Sequence, residues 1–143
     1  MVTEDIHSMH EQVLRSIAGK PTKSLCIVGP SRTWKTSWVQ SLGKHIICSA
    51  QYSVKSLRSA WEADYAIFKD IDICYLPWKK FVGRKPYFRI WDKYETAAYV
   101  LWNIPAIFIY NKDPRLELHD SLRSYWDAHV TTVEIEEDLY VTM

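Results

Sequence analysis

Residues 24–36 read SLCIVGPSRTWKT and carry the strongest signal of the fold in this chain. Residues 24–28 are an apolar run of strand length, and a turn containing Gly, Pro, Ser and Thr follows them. From Lys35 to Leu42 the pattern favours a helix, which Gly43 ends. A strand, a turn and a helix in this order begin an α/β unit, so the stretch predicts an α/β fold.

The turn matches the phosphate-binding loop pattern G-x-x-x-x-G-K-[ST] at all positions but one. Trp34 stands where the pattern has its second Gly, and a bulky side chain obstructs the backbone conformation and the close phosphate approach that Gly allows. In such loops backbone N–H groups surround the phosphates, the Lys reaches the β- and γ-phosphates, and the hydroxyl binds Mg²⁺. The predicted nucleotide-binding residues are Gly29, Pro30, Ser31, Arg32, Thr33, Trp34, Lys35, Thr36 and Ser37.

The rest of the chain alternates short strands with short helices, which predicts a mainly parallel central sheet. We expect residues 1–20 to form an N-terminal helix, amphipathic over 4–18, and residues 21–143 to form one domain. Strands are predicted at 45–49, 65–71, 87–91, 97–102, 105–110 and 129–135, helices at 77–82 and 118–126, and a weak helical pattern at 53–63.

The composition is that of an ordinary globular domain, with 143 residues, 48% hydrophobic, 24% charged and a net charge of +1. This balance excludes a strongly basic nucleic-acid domain, so any DNA contact must come from a local patch. No apolar run reaches the roughly 18 residues of a membrane helix, and because the first residues are polar we expect no secretory signal. Cys26, Cys48 and Cys74 lie in apolar runs, which predicts buried free thiols in a reducing compartment.

Several blocks, taken in order along the chain, resemble the superfamily 3 helicase domain of geminivirus and genomovirus replication-associated proteins. The resemblance spans residues 5–141. Its blocks are 29–38 and 41–43 (Walker A), 65–71 (Walker B), 78–83 (the segment that follows), 104–111 (motif C, ending in a sensor Asn) and 122–126 with the next strand (the C-terminal end).

This resemblance implies an α/β P-loop NTPase fold of the AAA+-like superfamily 3 class, with ATP and Mg²⁺ as cofactors. It implies that Lys35, Asp70 and Asn111 are catalytic and that Thr36 and Asp70 hold the metal. It also implies single-stranded DNA as a partner, self-association into a ring, association with a related replication protein, and an intracellular, nuclear location.

Basic and aromatic residues interleave between Gly83 and Asn103, where the family has a DNA-contacting β-hairpin. The resemblance implies that Lys85, Arg89 and Lys93 contact phosphates, and that Tyr87, Phe88, Trp91 and Tyr94 stack on bases. The alternative is a solvated strand pair whose aromatic side chains face the core. Asp92 and Glu95 reduce the positive charge, so we expect weak, salt-sensitive binding.

The family also carries an HUH endonuclease domain, for which this sequence has no His-x-His pair. Tyr52 and Lys55 have the nuclease spacing, which we interpret as chance, and nicking is not expected. Arg115 and Arg123 are both candidates for an arginine finger that reaches a neighbouring subunit.

Two departures from the family pattern affect the same chemistry. Trp34 replaces a loop Gly, and Lys69 replaces the first acid of Walker B, where it repels a metal ion beside Lys35. We therefore expect impaired hydrolysis of ATP. Three interpretations stay open: a working helicase, a catalytically inactive relic or domesticated module that binds DNA or oligomerises, and a small P-loop kinase.

Overall fold

A computed structural model describes residues 23–30, 35–83, 86–92, 97–102 and 104–135. Five strands form a sheet in the order β2-β3-β6-β1-β7, and every neighbouring pair in it is parallel. These strands are β1 (Ser24–Val28), β2 (His45–Ser49), β3 (Tyr65–Lys69), β6 (Ala106–Tyr110) and β7 (Val130–Glu134). The predicted α/β class with a parallel central sheet is confirmed.

Two further strands, β4 (Tyr87–Trp91) and β5 (Ala97–Leu101), pair with each other in a separate antiparallel hairpin. The α-helices of the described residues are α1 (Lys35–Gln40), α2 (Val54–Leu57), α3 (Trp78–Val82) and α4 (Asp120–His129), and 3₁₀ turns lie at Ala60–Glu62 and Pro114–Glu117. The predicted N-terminal helix lies outside the described residues.

Side chains that alternate along the central strands form a core on each face of the sheet. Cys26, Phe68 and Phe108 belong to the larger core, which also contains Trp126 of α4. Ile27, Ile67 and Ile107 belong to the smaller core, which Val39 of α1 covers. Both faces of β1, β3 and β6 are therefore buried, which explains why these strands read as continuous apolar runs.

Several sequence-based expectations about burial and boundaries were wrong in detail. The helix predicted at 118–126 lies at Asp120–His129, and the strand predicted at 65–71 ends at Lys69. Cys74 is exposed rather than buried, because it lies in the loop after β3 and not in a strand, whereas Cys26 and Cys48 are buried. The last predicted strand begins one residue later than expected, since α4 continues to His129. Within the described residues, no helix has the length and apolar character needed to span a membrane.

Candidate functional site

Three neighbouring strands of the sheet end at the same edge, and a predicted site residue follows each of them. Gly29 follows β1, Asp70 follows β3 and Asn111 follows β6. The N–H of Gly29 donates to the Tyr110 carbonyl at 3.1 Å, and the N–H of Asp70 donates to the Ile109 carbonyl at 3.0 Å. The fold therefore brings the three predicted motifs together at the carboxyl edge, where open α/β sheets bind ligands.

Gly29 is required by a close approach of two backbones. A Cβ atom at this position would lie 2.5 Å from the Ile135 carbonyl oxygen. The approach follows from the N–H of Ile135, which donates to the Val28 carbonyl at 2.7 Å directly after β7. The first residue of the loop is thus a glycine because β7 runs beside it.

Lys35 begins α1 and turns its amine back onto the loop. Its Nζ donates to the carbonyl oxygens of Gly29 at 2.7 Å and Pro30 at 2.8 Å, and the residue is 6% exposed. Burial lowers the pKa of Lys35, Asp70 acts to raise it, and Lys69 acts to lower it further. The charges at the end of β3 therefore act directly on the loop lysine.

The other predicted loop residues differ in how far the structure describes them. Thr36 is half-buried and Ser37 is exposed, both in the first turn of α1. Ser31, Arg32, Thr33 and Trp34 lie outside the described residues.

Asp70 leaves β3 in the left-handed region, with φ of 54°. Aspartate tolerates this conformation better than most residues because its short polar side chain can bond locally. Asp70 and Asn111 are both exposed, and Lys69 beside Asp70 is half-buried. This edge of the sheet carries the functional groups that a nucleotide phosphate with Mg²⁺ requires: an ammonium, a hydroxyl, a carboxylate and an amide. Lys69 does not fit this set, because its positive charge would repel the metal ion.

The hairpin has an inner and an outer face of opposite character. Phe88, Ile90 and Val100 are buried on the inner face, which corrects the expectation that Phe88 stacks on bases. The outer face carries exposed Tyr87, Arg89, Trp91, Ala97, Tyr99 and Leu101. The alternative of a solvated strand pair with its aromatic side chains in the core therefore holds for Phe88 but not for Tyr87 and Trp91.

Arg89 lies in the middle of that outer face. The rings of Tyr87 and Tyr99 stack across the two strands, with their centroids 4.9 Å apart. The guanidinium carbon of Arg89 is 5.8 Å from the centroid of the Trp91 ring. One predicted phosphate contact thus lies among exposed rings, whereas Lys85, Lys93, Tyr94 and Glu95 lie outside the described residues.

The sequence had suggested that Asp92 lies among the basic residues of the hairpin and reduces their positive charge. The structure places its side chain away from the outer face. It is buried, and its carboxylate accepts a hydrogen bond from the N–H of Val54 at 3.2 Å. Tyr52 is buried as well, and its hydroxyl donates to the Trp91 carbonyl at 2.6 Å. Sequence patterns did not assign these roles, because the partners are 38 and 39 residues apart along the chain.

Both candidate arginine fingers are bound within the chain. Arg115 pairs with Asp113 at 2.7 Å and with Asp127 at 3.1 Å. Arg123 donates to the carbonyl oxygens of Arg115 and Leu118. Both guanidinium groups therefore have hydrogen-bond partners within the chain.

Similarity to known proteins points to one kind of viral protein, although no family model matches the chain. The replication-associated protein of bean yellow dwarf virus is 30% identical over 135 residues, which cover 90% of this chain and 40% of that protein. Its counterpart in Panicum streak virus (isolate Kenya) is 33% identical over 127 residues, or 87% of this chain and 33% of that protein. The homologues of this chain are geminivirus and genomovirus replication-associated proteins.

The chain spans less than half the length of these replication-associated proteins. Among solved structures it is similar to JCV helicase, crystallised with a bound phenoxyphenyl acetamide, at a TM-score of 0.57 and 12% identity over 93% of this chain and 41% of that one. At this identity the similarity concerns the fold alone. It agrees with a P-loop NTPase fold, and together with the homologues it supports a replication helicase-like domain.

Proposed function

We propose that this chain is the helicase-like domain of a viral-type rolling-circle replication protein and that its capacity to hydrolyse ATP is weakened. The observation that carries the proposal is the convergence of the loop after β1, Asp70 and Asn111 at one edge of the sheet. Each lies on a different motif, and the motifs are dozens of residues apart in the sequence.

The roles of the side chains follow from their chemistry. Lys35 would exchange the carbonyl oxygens of Gly29 and Pro30 for phosphate oxygens, while Thr36 and Asp70 would hold Mg²⁺. Asn111 would orient a water molecule. The bound nucleotide supplies the phosphoanhydride bond whose hydrolysis drives movement along DNA.

Weakened hydrolysis follows from charge at the same edge. Lys69 adds a cation beside Asp70, and its charge acts to lower the pKa of Lys35. A metal ion held by Asp70 would meet this repulsion. The Lys35 amine also donates to two loop carbonyl oxygens, and a phosphate would compete with these bonds for its three N–H donors.

The outer face of the hairpin is the DNA-contacting surface in this proposal. Arg89, with Lys85 and Lys93, contacts phosphates, and the exposed rings of Tyr87, Trp91 and Tyr99 stack on unpaired bases. Self-association into a ring, pairing with a related replication protein and a nuclear location belong to the same proposal.

Calorimetric titration with Mg-ATP tests the nucleotide site, using the unmodified chain, Trp34→Gly and Lys35→Ala. We expect weak binding by the unmodified chain, at least about tenfold tighter binding by Trp34→Gly, which restores the loop pattern, and none by Lys35→Ala. Micromolar binding and rapid turnover by the unmodified chain would refute the weakened site.

The second candidate is a catalytically inactive module that binds DNA or oligomerises, and Lys69 is the observation that favours it. If neither the unmodified chain nor Trp34→Gly binds Mg-ATP, the double variant Trp34→Gly/Lys69→Asp distinguishes a weakened helicase from an inactive module. Binding of Mg-ATP by the double variant would assign the loss of binding to these two positions. Absence of binding by the double variant would support the inactive module.

A further inference from the structure

The end of β4 is held against the segment that follows β2. The Tyr52 hydroxyl donates to the Trp91 carbonyl at 2.6 Å, and the Asp92 carboxylate accepts from the Val54 N–H at 3.2 Å. Two consecutive hairpin residues are therefore bound by two residues of one short segment. We refer to Tyr52, Val54, Trp91 and Asp92 as the hairpin clamp.

The two side chains that make the hydrogen bonds of the clamp, those of Tyr52 and Asp92, are enclosed. Tyr52 is 6% exposed and Asp92 is 7% exposed, so water competes little for their hydrogen bonds. Burial raises the pKa of the Tyr52 phenol, and Tyr75 and Asp92 act in the same direction. The phenol thus keeps its proton and donates at neutral pH.

The clamp acts where the outer face needs a fixed orientation. Trp91, whose carbonyl Tyr52 holds, presents its ring outward and is 55% exposed. On the same free edge of β4, Lys80 of α3 donates to the Arg89 carbonyl at 2.5 Å, with its Nζ 5.6 Å from the centroid of the Trp91 ring. The strand is therefore held at two of its carbonyls, those of Arg89 and Trp91.

The segment that carries Tyr52 and Val54 begins at the carboxyl edge of the sheet. The N–H of Ala50 donates to the Lys69 carbonyl at 2.9 Å, next to Asp70. The Tyr52 ring packs on Tyr75, in the loop after Asp70, with the ring centroids 5.4 Å apart. The residues that hold the hairpin thus lie between the outer face and the carboxyl edge.

We propose that Tyr52 and Asp92 are positioning residues that fix the outer face of the hairpin for single-stranded DNA. The inference rests on the proposed DNA-contacting role of that face. It assigns to the Tyr52–Lys55 stretch a structural purpose unrelated to nuclease chemistry.

Hydrogen exchange and binding of a fluorescent oligothymidylate, both on the full chain, test the clamp. In Tyr52→Phe and Asp92→Ala we expect about fivefold faster exchange at the β4 and β5 amides, the equivalent of one lost hydrogen bond, and a similar loss of affinity. Asp92→Asn should restore both, because its amide oxygen accepts the same bond from Val54.

The matched control is Tyr65→Phe, which removes a phenol hydrogen bond to the Val39 carbonyl at the opposite edge of the sheet. Its faster exchange should lie in the central sheet and leave the hairpin unchanged. Equal acceleration of sheet and hairpin in Tyr52→Phe, or no acceleration in the hairpin, would overturn the proposal. If the unmodified chain binds no oligonucleotide, the DNA role fails, and exchange alone decides whether the clamp positions the hairpin.

Discussion

At the scale of single residues, two positive φ angles mark the ends of neighbouring strands. Ala50 after β2 has φ of 64° and Asp70 after β3 has φ of 54°. Each donates its N–H across the edge, Ala50 to Lys69 and Asp70 to Ile109. Asp70 tolerates this conformation, whereas Ala50 brings its Cβ close to the following carbonyl and is strained.

Replacing Ala50 with Gly should stabilise the protein. Relief of left-handed strain, at about 1–2 kcal/mol, exceeds the entropy cost of Gly, at about 0.5–1 kcal/mol, so we expect a net gain of about 0.5–1 kcal/mol in the free energy of unfolding. Urea denaturation measures it. The control Ala63→Gly, at a position with φ of −106°, should lose stability. A loss in both variants would contradict the strain at Ala50.

At the scale of elements, the hairpin shows what strand alternation can and cannot predict. Its burial alternates strictly along β4, so Tyr87, Arg89 and Trp91 were certain to share a face. Which face turns to solvent depends on Phe81 and Trp102, against which Phe88 packs. Those contacts are tertiary, and the sequence therefore left open the side on which Phe88 lies.

The salt dependence of oligonucleotide binding should report the basic residues of this hairpin. For single strands the slope of log K against log salt is about −0.7 per neutralised phosphate, so Arg89→Ala, Lys85→Ala and Lys93→Ala should each flatten it by about 0.7. Lys44→Ala, at an exposed position outside the hairpin, should leave the slope unchanged. Equal slopes in all four variants would exclude phosphate contacts by the hairpin.

At the scale of the whole molecule, ion pairing joins the segment that follows β6 to α4. Arg115 binds Asp113 beside it and Asp127 in α4. Burial acts to raise the pKa of Asp113, but hydrogen bonds and charge from Arg115 outweigh this, and the pKa is lowered. The folded state thus holds the Asp113 proton less tightly than the unfolded chain does.

This pair should make part of the stability sensitive to acid. Because the pKa of Asp113 is lowered on folding, its contribution is complete above the unfolded value of about 4 and is lost as the pH falls through the folded value. Asp113→Asn should reduce the free energy of unfolding at pH 7 by about 1 kcal/mol or less, and should lose less stability than the unmodified chain between pH 5 and pH 2. Thermal unfolding across this range measures both effects. If the stability of Asp113→Asn and of the unmodified chain fell in parallel between pH 5 and pH 2, this contribution of Asp113 would be contradicted.

Local sequence patterns were sufficient to predict the fold class and the residues that meet at the carboxyl edge of the sheet. Apolar runs of strand length, each ending in Gly29, Asp70 or Asn111, are local patterns, and parallel strands necessarily align their carboxyl ends. Helix boundaries near Lys35 and Trp78 also followed from local signals, because turns and caps depend on neighbouring residues.

The pairing of distant residues follows from tertiary packing alone. The burial of Asp92 and the donation from Tyr52 to the Trp91 carbonyl depend on segments that meet across the fold. Arg115 has the side chain that an arginine finger needs, but here it pairs with Asp127. That partner lies in α4, and the packing of α4 brings it beside Arg115. Local patterns specify what a residue can do, and the packing of remote elements selects which of those possibilities this protein uses.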